Sequence, residues 1–490
     1  MIHSRNPNLP LAILSAIALA LALSAPSVQA QTNLPTLGDR ISGTVSLEEE
    51  YRMGQQFLAQ IRRSAPTIPD ALLNDYLEFV TYRLASRSQL QDHRLAFVII
   101  DSEEINAFAA PGGIIGVNTG LFVDALSEDE FASVMAHEIA HVSQRHFARG
   151  VDEARASRLP QLATLLGSIL IMATSDASQG AAAITAAQGM AVENQLRFSR
   201  SNEAEADRVG QDTMYEAGFD PFGMSNMFER LLAANRFGRR PPEFLLSHPL
   251  TESRIADSRG RANRYPPRQY SPNLEYQIMR ARVAGHYARN KPAQVTEFER
   301  ALADSNDDFS RDVNRYSLAI AYYENEQFAE ATNALGPLLD KYPNRISLVV
   351  TQAEILTGQN EPLQSISFLS RHLAINPDNH PLTMAYVDAL VESRQYNQAA
   401  RVMERHTKLR PDDHHLWFQL AETWGQAGDI SKVHQARAEY YLLMADFRRA
   451  REQLQFALRI EADVDGSPAE EARLRQKLRE VEARQRELAG

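Results

Sequence analysis

The sequence predicts a mainly α-helical protein in two parts: a helical domain around a small β-sheet, then an α-solenoid of short helix pairs. Three observations carry this prediction. The stretch from Ser127 to Arg149 has the spacing of one amphipathic helix and holds His-Glu-x-x-His at His137, Glu138 and His141. Short β-branched runs, Leu95 to Ile100 and Ile114 to Val117, supply strand signals ahead of that helix. From about Tyr276 onward strand signals cease, and Pro343, Pro377 and Pro411 recur 34 residues apart, each after a helical run.

At 490 residues the chain is too long for one hydrophobic core. Its expected divisions are residues 1–30, 31–268 and 269–490. The composition, 44% hydrophobic and 23% charged, is that of an ordinary globular protein, so disorder is not the default. The net charge of −11 and the absence of a Lys/Arg-rich block argue against nucleic-acid binding. A short head with His3 and Arg5, an apolar run from Leu11 to Leu23, and Val28-Gln29-Ala30 read as a secretory signal cleaved before Gln31. The run is short for a membrane span, and an exported chain of this kind points to the periplasm. The chain has no cysteine, so any metal site must use His and carboxylates, and stability must come from packing.

Apolar residues recur at helical spacing from Leu47 to Arg63 and from Ile68 to Arg87. After the first strand, Pro111-Gly112-Gly113 reads as a turn and Ile114, Ile115 and Val117 as the strand beyond it. The plain reading is a hairpin. The functional one is an edge strand beside the active-site helix, onto which an extended peptide adds by backbone hydrogen bonds. Asn106, Ala107, Phe108, Gly112 and Gly113 are its candidate contact residues. In the helix itself, Ser127 is a natural N-cap and Glu130 completes a capping-box pattern. Phe131, Val134, Met135, Ile139 and Val142 would seat it in a core. His137 and His141, four apart, project from nearly the same side and can grip one Zn²⁺, with Glu138 beside them as a base toward water. His146 is nine residues from His137, half a turn out of phase, and reads as structural.

Leu162 to Ala173 is nearly all apolar, but twelve residues cannot cross a bilayer. The 155–190 segment is expected to be either a buried helical hairpin or a lid touching the membrane, with Gly167, Gly180 and Gly189 for flexibility. After Arg197 a second helix begins. Glu203 and Asp207 are four apart and share a face, while Glu205 is turned about 200° away and fits a solvated side. Glu203 is the expected third metal ligand, and Asp207 the partner for the free nitrogen of a ligating His. On the loop restricted by Pro241, Pro242 and Pro249, His248 and Arg254 are candidates to stabilise a transition-state oxyanion. His248 is also a candidate fourth ligand, which would hold the site latent. The whole constellation predicts a zinc-dependent endopeptidase with one ion per chain.

In the last third, Phe328 and Tyr396 lie two periods apart, and Ala331, Ser365 and Ala399 keep a small residue in phase. Trp417, Leu420, Ala421 and Trp424 fit the first helix of a tetratricopeptide repeat, whose period is 34 residues. Stacked pairs make a curved solenoid with a concave binding surface. Phe447, Ala450 and Leu454 suggest one more helix, and the Glu/Arg-rich tail from Glu470 a polar cap.

NAFAAPGG from Asn106, HEIAH from His137, EAEAD from Glu203 and SHP from Ser247, with the repeats behind them, resemble one group. It is the periplasmic HtpX/CAAX-protease-like zinc metallopeptidases with C-terminal tetratricopeptide repeats. The resemblance implies a gluzincin-type domain with zinc on His137, His141 and Glu203, and Glu138 as general base and acid. It also implies quality control of outer-membrane proteins: unfolded or misassembled β-barrels as clients, and the β-barrel assembly machinery as a partner docked through the repeats. The 155–190 segment adds an expected peripheral membrane contact. The alternative is a non-proteolytic periplasmic chaperone or adaptor built on the solenoid. A complete ligand set with a base beside it disfavours that alternative, because a scaffold needs no base.

Overall fold

The computed structural model describes residues 45–156, 200–237, 242–463 and 468–489. The export signal expected at residues 1–30, and residues 157–190 of the expected hairpin or lid, lie outside the described residues.

The described chain begins with α1 (Leu47–Ser64) and α2 (Ala71–Ala85). A capping box of Ser46 and Glu49 starts α1, and the Asp70 side chain caps α2. Three strands follow, β1 (Ala96–Ile100), β2 (Ala107–Ala110) and β3 (Ile114–Asn118), in the spatial order β1-β3-β2. β3 runs parallel to β1, with Ala96 opposite Ile114, and antiparallel to β2, with Ala107 opposite Val117. The run after the glycine turn is therefore the buried centre of the sheet, and the edge positions belong to β1, bridged at Ile100 by Thr67, and to β2. The turn between β2 and β3 holds Gly112 at φ 72° and packs against α1, where a Cβ on Gly112 would lie 2.7 Å from the Tyr51 Cα. Glycine alone meets both demands.

Beyond α3 (Thr119–Asp124) lies α4 (Glu128–Ser143), which carries the His-Glu-x-x-His. The Ser127 hydroxyl accepts the Glu130 N–H at 3.2 Å. The Glu130 carboxylate, however, accepts from the Leu126 N–H and pairs with Arg230, so only half of the expected capping box forms. Nor is α4 amphipathic in place. Every residue from Glu130 to His141 is buried, because β2 and α2 pack on it along with helices that follow in the chain. The helix also stops early. Arg145 adopts φ 52°, so the single helix expected as far as Arg149 is in fact α4 and a separate α5 (His146–Ala156).

α6 (Arg200–Glu216) crosses α4 at such close range that a Cβ on Gly210 would sit 3.0 Å from the Ala136 carbonyl. α7 (Phe222–Phe237), the short α8 (Glu243–Ser247) and α9 (Glu252–Ala262) complete this part. From α10 (Leu274–His286) onward the described chain is helical. After Lys291–Ala303 it runs as successive pairs: Asp308–Glu324 with Phe328–Lys341, Ile346–Gly358 with Pro362–Ile375, and His380–Glu392 with Tyr396–His406. His414–Ala427 with Ile430–Leu443, and Phe447–Asp463 with Pro468–Ala489, continue the series. The recurring prolines fall between pairs, and Ala331, Ser365 and Ala399 are each 0% exposed, as small residues at a tight helix contact should be. Pro362 opens its helix, where its missing N–H is no loss.

The repeats are joined to the first part by more than chain connectivity. The Tyr276 hydroxyl, buried on α10, donates to the carbonyls of Phe122 and Ala125. Arg282 grips Asp70 at the start of α2 and Glu354 in the repeats. One apolar cluster runs from Leu72 to Leu382. Farther along, the solenoid meets α1 again: Arg62 donates to the Asp412 carbonyl at 2.9 Å and the Leu443 carbonyl at 3.3 Å. No described helix is long and apolar enough to cross a membrane.

Candidate metal centre

Two helices and a loop bring four ligand atoms together. α4 supplies His137 and His141 one turn apart, α6 supplies Glu203 from its first turn, and His248 follows α8. The Nε2 atoms of His137 and His141 are 3.0 Å apart. His248 Nδ1 lies 3.3 Å from His137 Nε2 and 3.2 Å from Glu203 Oε1. Glu203 Oε1 is 3.5 Å from His141 Nε2. Donors bound at zinc's usual bond lengths in a tetrahedron stand about 3.3 Å from one another. The cluster has the edges such an ion requires, and its three imidazoles and one carboxylate are a fitting donor set. His137, His141, Glu203 and His248 are each 1–3% exposed, so no water shell competes for them.

Around these donors a further layer sets their orientation and charge. Asp207 Oδ1 lies 3.0 Å from His137 Nδ1, and Arg254 holds Asp207 with two hydrogen bonds of 2.7 Å. Arg254 Nη1 also lies 2.9 Å from Glu203 Oε2. Burial acts to raise the Glu203 carboxyl, but His248 and His137 hold it well below the usual carboxylate range. Asp207 is likewise lowered against its burial, by Arg254 and His137. Burial and then the neighbouring His137 keep His141 well below its ordinary value, in the neutral form a ligand needs. Glu138 points at the same centre. Its carboxylate accepts a hydrogen bond from the Ala109 backbone, lies 3.5 Å from His248 Nε2, and is pushed up by burial.

Comparison with known proteins agrees with this geometry. The model of peptidase family M48 matches residues 71–262. The beta-barrel assembly-enhancing protease of Escherichia coli K12 is 33% identical over 445 residues, covering 90% of this chain and 90% of that one. This chain belongs to peptidase family M48. It is a metallopeptidase with a repeat region behind its catalytic part. The beta-barrel assembly-enhancing protease of Yersinia pestis is 31% identical over 423 residues, 86% of each chain. The mitochondrial metalloendopeptidase OMA1 of Schizosaccharomyces pombe is 30% identical over 227 residues, 45% of this chain and 64% of that one. A second model, ChAPs (Chs5p-Arf1p-binding proteins), matches residues 316–436, within the helix pairs.

The other residues singled out in the M48 peptidase's sequence fall as follows. Ala107 and Phe108 lie on β2, an edge strand of the described sheet whose Ala109 backbone meets Glu138, and Gly112 and Gly113 form the turn after it. Asn106 is buried behind the strand and donates to Glu243, as does Asn118. Arg254 is 8% exposed, its guanidinium engaged by Asp207, Glu203 and the Pro249 carbonyl. Phe244 stacks on the His248 ring at 4.6 Å and fixes its plane. His146, expected to be structural, and Glu205, expected to fit a solvated side, both lie behind the ligand cluster. His146 meets His141 at 2.8 Å, and Glu205 meets both His146 and Arg149 instead of facing solvent alone. His146 stays outside the ligand cluster, as its phase implies, and its contact with His141 arises from the break at Arg145.

Proposed function

We propose that this metallopeptidase is a periplasmic zinc endopeptidase that acts in the quality control and assembly of outer-membrane β-barrel proteins. One zinc per chain would be held by His137, His141 and Glu203. The observation that carries the reading is the convergence of these side chains from two helices, with the Glu138 carboxylate beside them. When bound, the ion acts as a Lewis acid toward the scissile carbonyl and makes water a better nucleophile. Glu138 takes the proton from the attacking water and returns it to the leaving amine. Its burial and raised pKa suit both halves of that exchange. Asp207 and Arg254 keep His137 and Glu203 in register. Arg254, already engaged by two carboxylates, serves as a positioning group, which leaves His248 the candidate for the oxyanion.

The outer edge of β2 would take an extended segment by backbone hydrogen bonds, with Asn106, Ala107, Phe108, Gly112 and Gly113 along its path. Unfolded β-barrel segments are extended chains of this sort. The role in barrel assembly is supported by similarity over nine-tenths of the chain to proteases named for it. The division of labour follows residues 31–268 for catalysis and 269–490 for binding clients or the assembly machinery. The repeats expose Leu363, Ile375 and Phe418, which suits a chaperone-like hold on apolar clients.

In the arrangement described, His248 occupies the fourth donor position and its other nitrogen faces Glu138. We read this as a latent state that opens when a client or partner draws the loop away. The deciding experiment is zinc analysis of the purified chain with casein digestion, with and without a chelator. Glu138→Gln should retain zinc and lose digestion; digestion by that variant at the parental rate would overturn the mechanism.

A further inference from the structure

His141 has an outer nitrogen as well as the one facing the ligand cluster, and the chain has built a partner for it. Residues five apart on an unbroken helix point about 140° away from each other and cannot meet. Here the backbone turns at Arg145, and His146 Nδ1 comes to 2.8 Å from His141 Nδ1. His146 is 1% exposed. Its Nε2 lies 3.2 Å from Glu205 Oε2 on α6. The same Glu205 oxygen accepts from Arg149 at 2.7 Å, and Arg149 also donates to the Asn202 side chain.

One proton arrangement satisfies the whole chain of groups. His141 Nε2 faces the other ligand atoms and must offer a lone pair, so its single proton sits on Nδ1. His146 Nδ1 then accepts that proton's hydrogen bond, which leaves the His146 proton on Nε2, donated to the Glu205 carboxylate. We propose that His146 and Glu205 are positioning residues for His141: together they fix its ring plane and tautomer, as Asp207 does for His137. The inference rests on the metallopeptidase reading above. It explains why α6 carries carboxylates at alternate positions. Glu203 meets the ligand cluster directly and Asp207 reaches His137 from the same face. Glu205, rotated about 200° from Glu203, cannot touch His141 and acts through an interposed imidazole.

The test uses the full chain with His146→Phe, His146→Asn and Glu205→Ala. Zinc affinity is read by competition with a chromophoric chelator, ligand orientation by the visible spectrum of the cobalt-substituted protein, and folding by circular dichroism. Loss of such an outer partner typically weakens metal binding about 10–100-fold. His146→Phe should fall in that range with an altered cobalt spectrum. Asn keeps an acceptor near the Nδ1 position, so His146→Asn should recover most of the loss. Glu205→Ala should weaken binding in the same direction, and because Glu205 is only half-buried this arm does not depend on the core tolerating a change at His146. Packing alone would give the reverse order, with Phe, nearer in volume, the better replacement. Parental affinity in His146→Phe, or Asn no better than Phe, overturns the positioning role alone. A parent chain that binds no zinc overturns both this role and the reading beneath it.

Discussion

Arg254 clasps Asp207 through Nε and Nη2, each at 2.7 Å, in a pocket where both side chains are nearly sealed from water. Two carboxylates, Asp207 and Glu203, depend on that one guanidinium. Removing one partner of a buried ion pair leaves an uncompensated charge and costs about 3–5 kcal/mol. Arg254→Leu should lower the urea-unfolding free energy by that order. Arg254→Lys should recover only part of it, because an ammonium cannot make the two-pronged contact. A Leu variant as stable as the parent would mean that the pair holds nothing in place.

The distance between α4 and α6 decides whether Glu203 reaches the histidines. Gly210 lets the two backbones approach, and a methyl group there would press on the Ala136 carbonyl and the His137 amide at 3.0–3.1 Å. In an exposed helix Gly→Ala stabilises by about 1 kcal/mol. Here the sign should reverse, with a loss of about 1–3 kcal/mol from overpacking. Zinc affinity should fall alongside the melting temperature, because the displaced backbone belongs to a ligand. A Gly210→Ala chain that gains stability would contradict the close crossing.

What could be read from the sequence was local. His137 and His141 are four residues apart on one helix, so their convergence follows from helix geometry alone, and the 34-residue period needs only counting. Glu203 was legible because it shares a face with Asp207. Contacts that depend on a change of backbone direction were not. The apolar spacing runs smoothly past Arg145, so nothing announced its φ of 52° or the approach of His146 to His141 that follows. Glu205 was misread for the same reason, since its partner sat on the misplaced helix. Ile114 to Val117 were legible as a strand, but central or edge position depends on β1 and β2 pairing on either side, which no stretch of sequence states.

His248 couples two functions in one ring: Nδ1 among the ligand atoms and Nε2 3.5 Å from Glu138. If this is the latent arrangement and the open state is populated at about 1–10%, freeing it should raise activity about 10–100-fold. His248→Ala should therefore raise basal casein digestion toward that range while zinc stays bound by the remaining three ligands. A fall in digestion with zinc retained would assign His248 to the oxyanion instead.

Acid should weaken the repeats through one buried histidine pair. His380 Nδ1 lies 2.9 Å from His406 Nε2 in a stacked pair, with Asp413 at 3.9 Å on its other nitrogen. Burial first, then Arg410 and His406, bring the His380 pKa down to about 3. Unfolded, the imidazole titrates near 6.5, so below that pH the unfolded chain takes up the proton first. The stability that His380 contributes is complete above pH 6.5 and drains away as pH falls toward 3. At about 1.4 kcal/mol per pH unit, that amounts to about 2 kcal/mol by pH 5. Asp129, pushed up to about 6 by burial, titrates with the opposite sign. It is common to parent and variant and cancels in their difference. His380→Asn keeps a polar partner for His406 without the titration. Urea unfolding at pH 7.5 and pH 5 should show the parent losing about 2 kcal/mol more than this variant; equal losses would acquit His380 and move the acid sensitivity elsewhere.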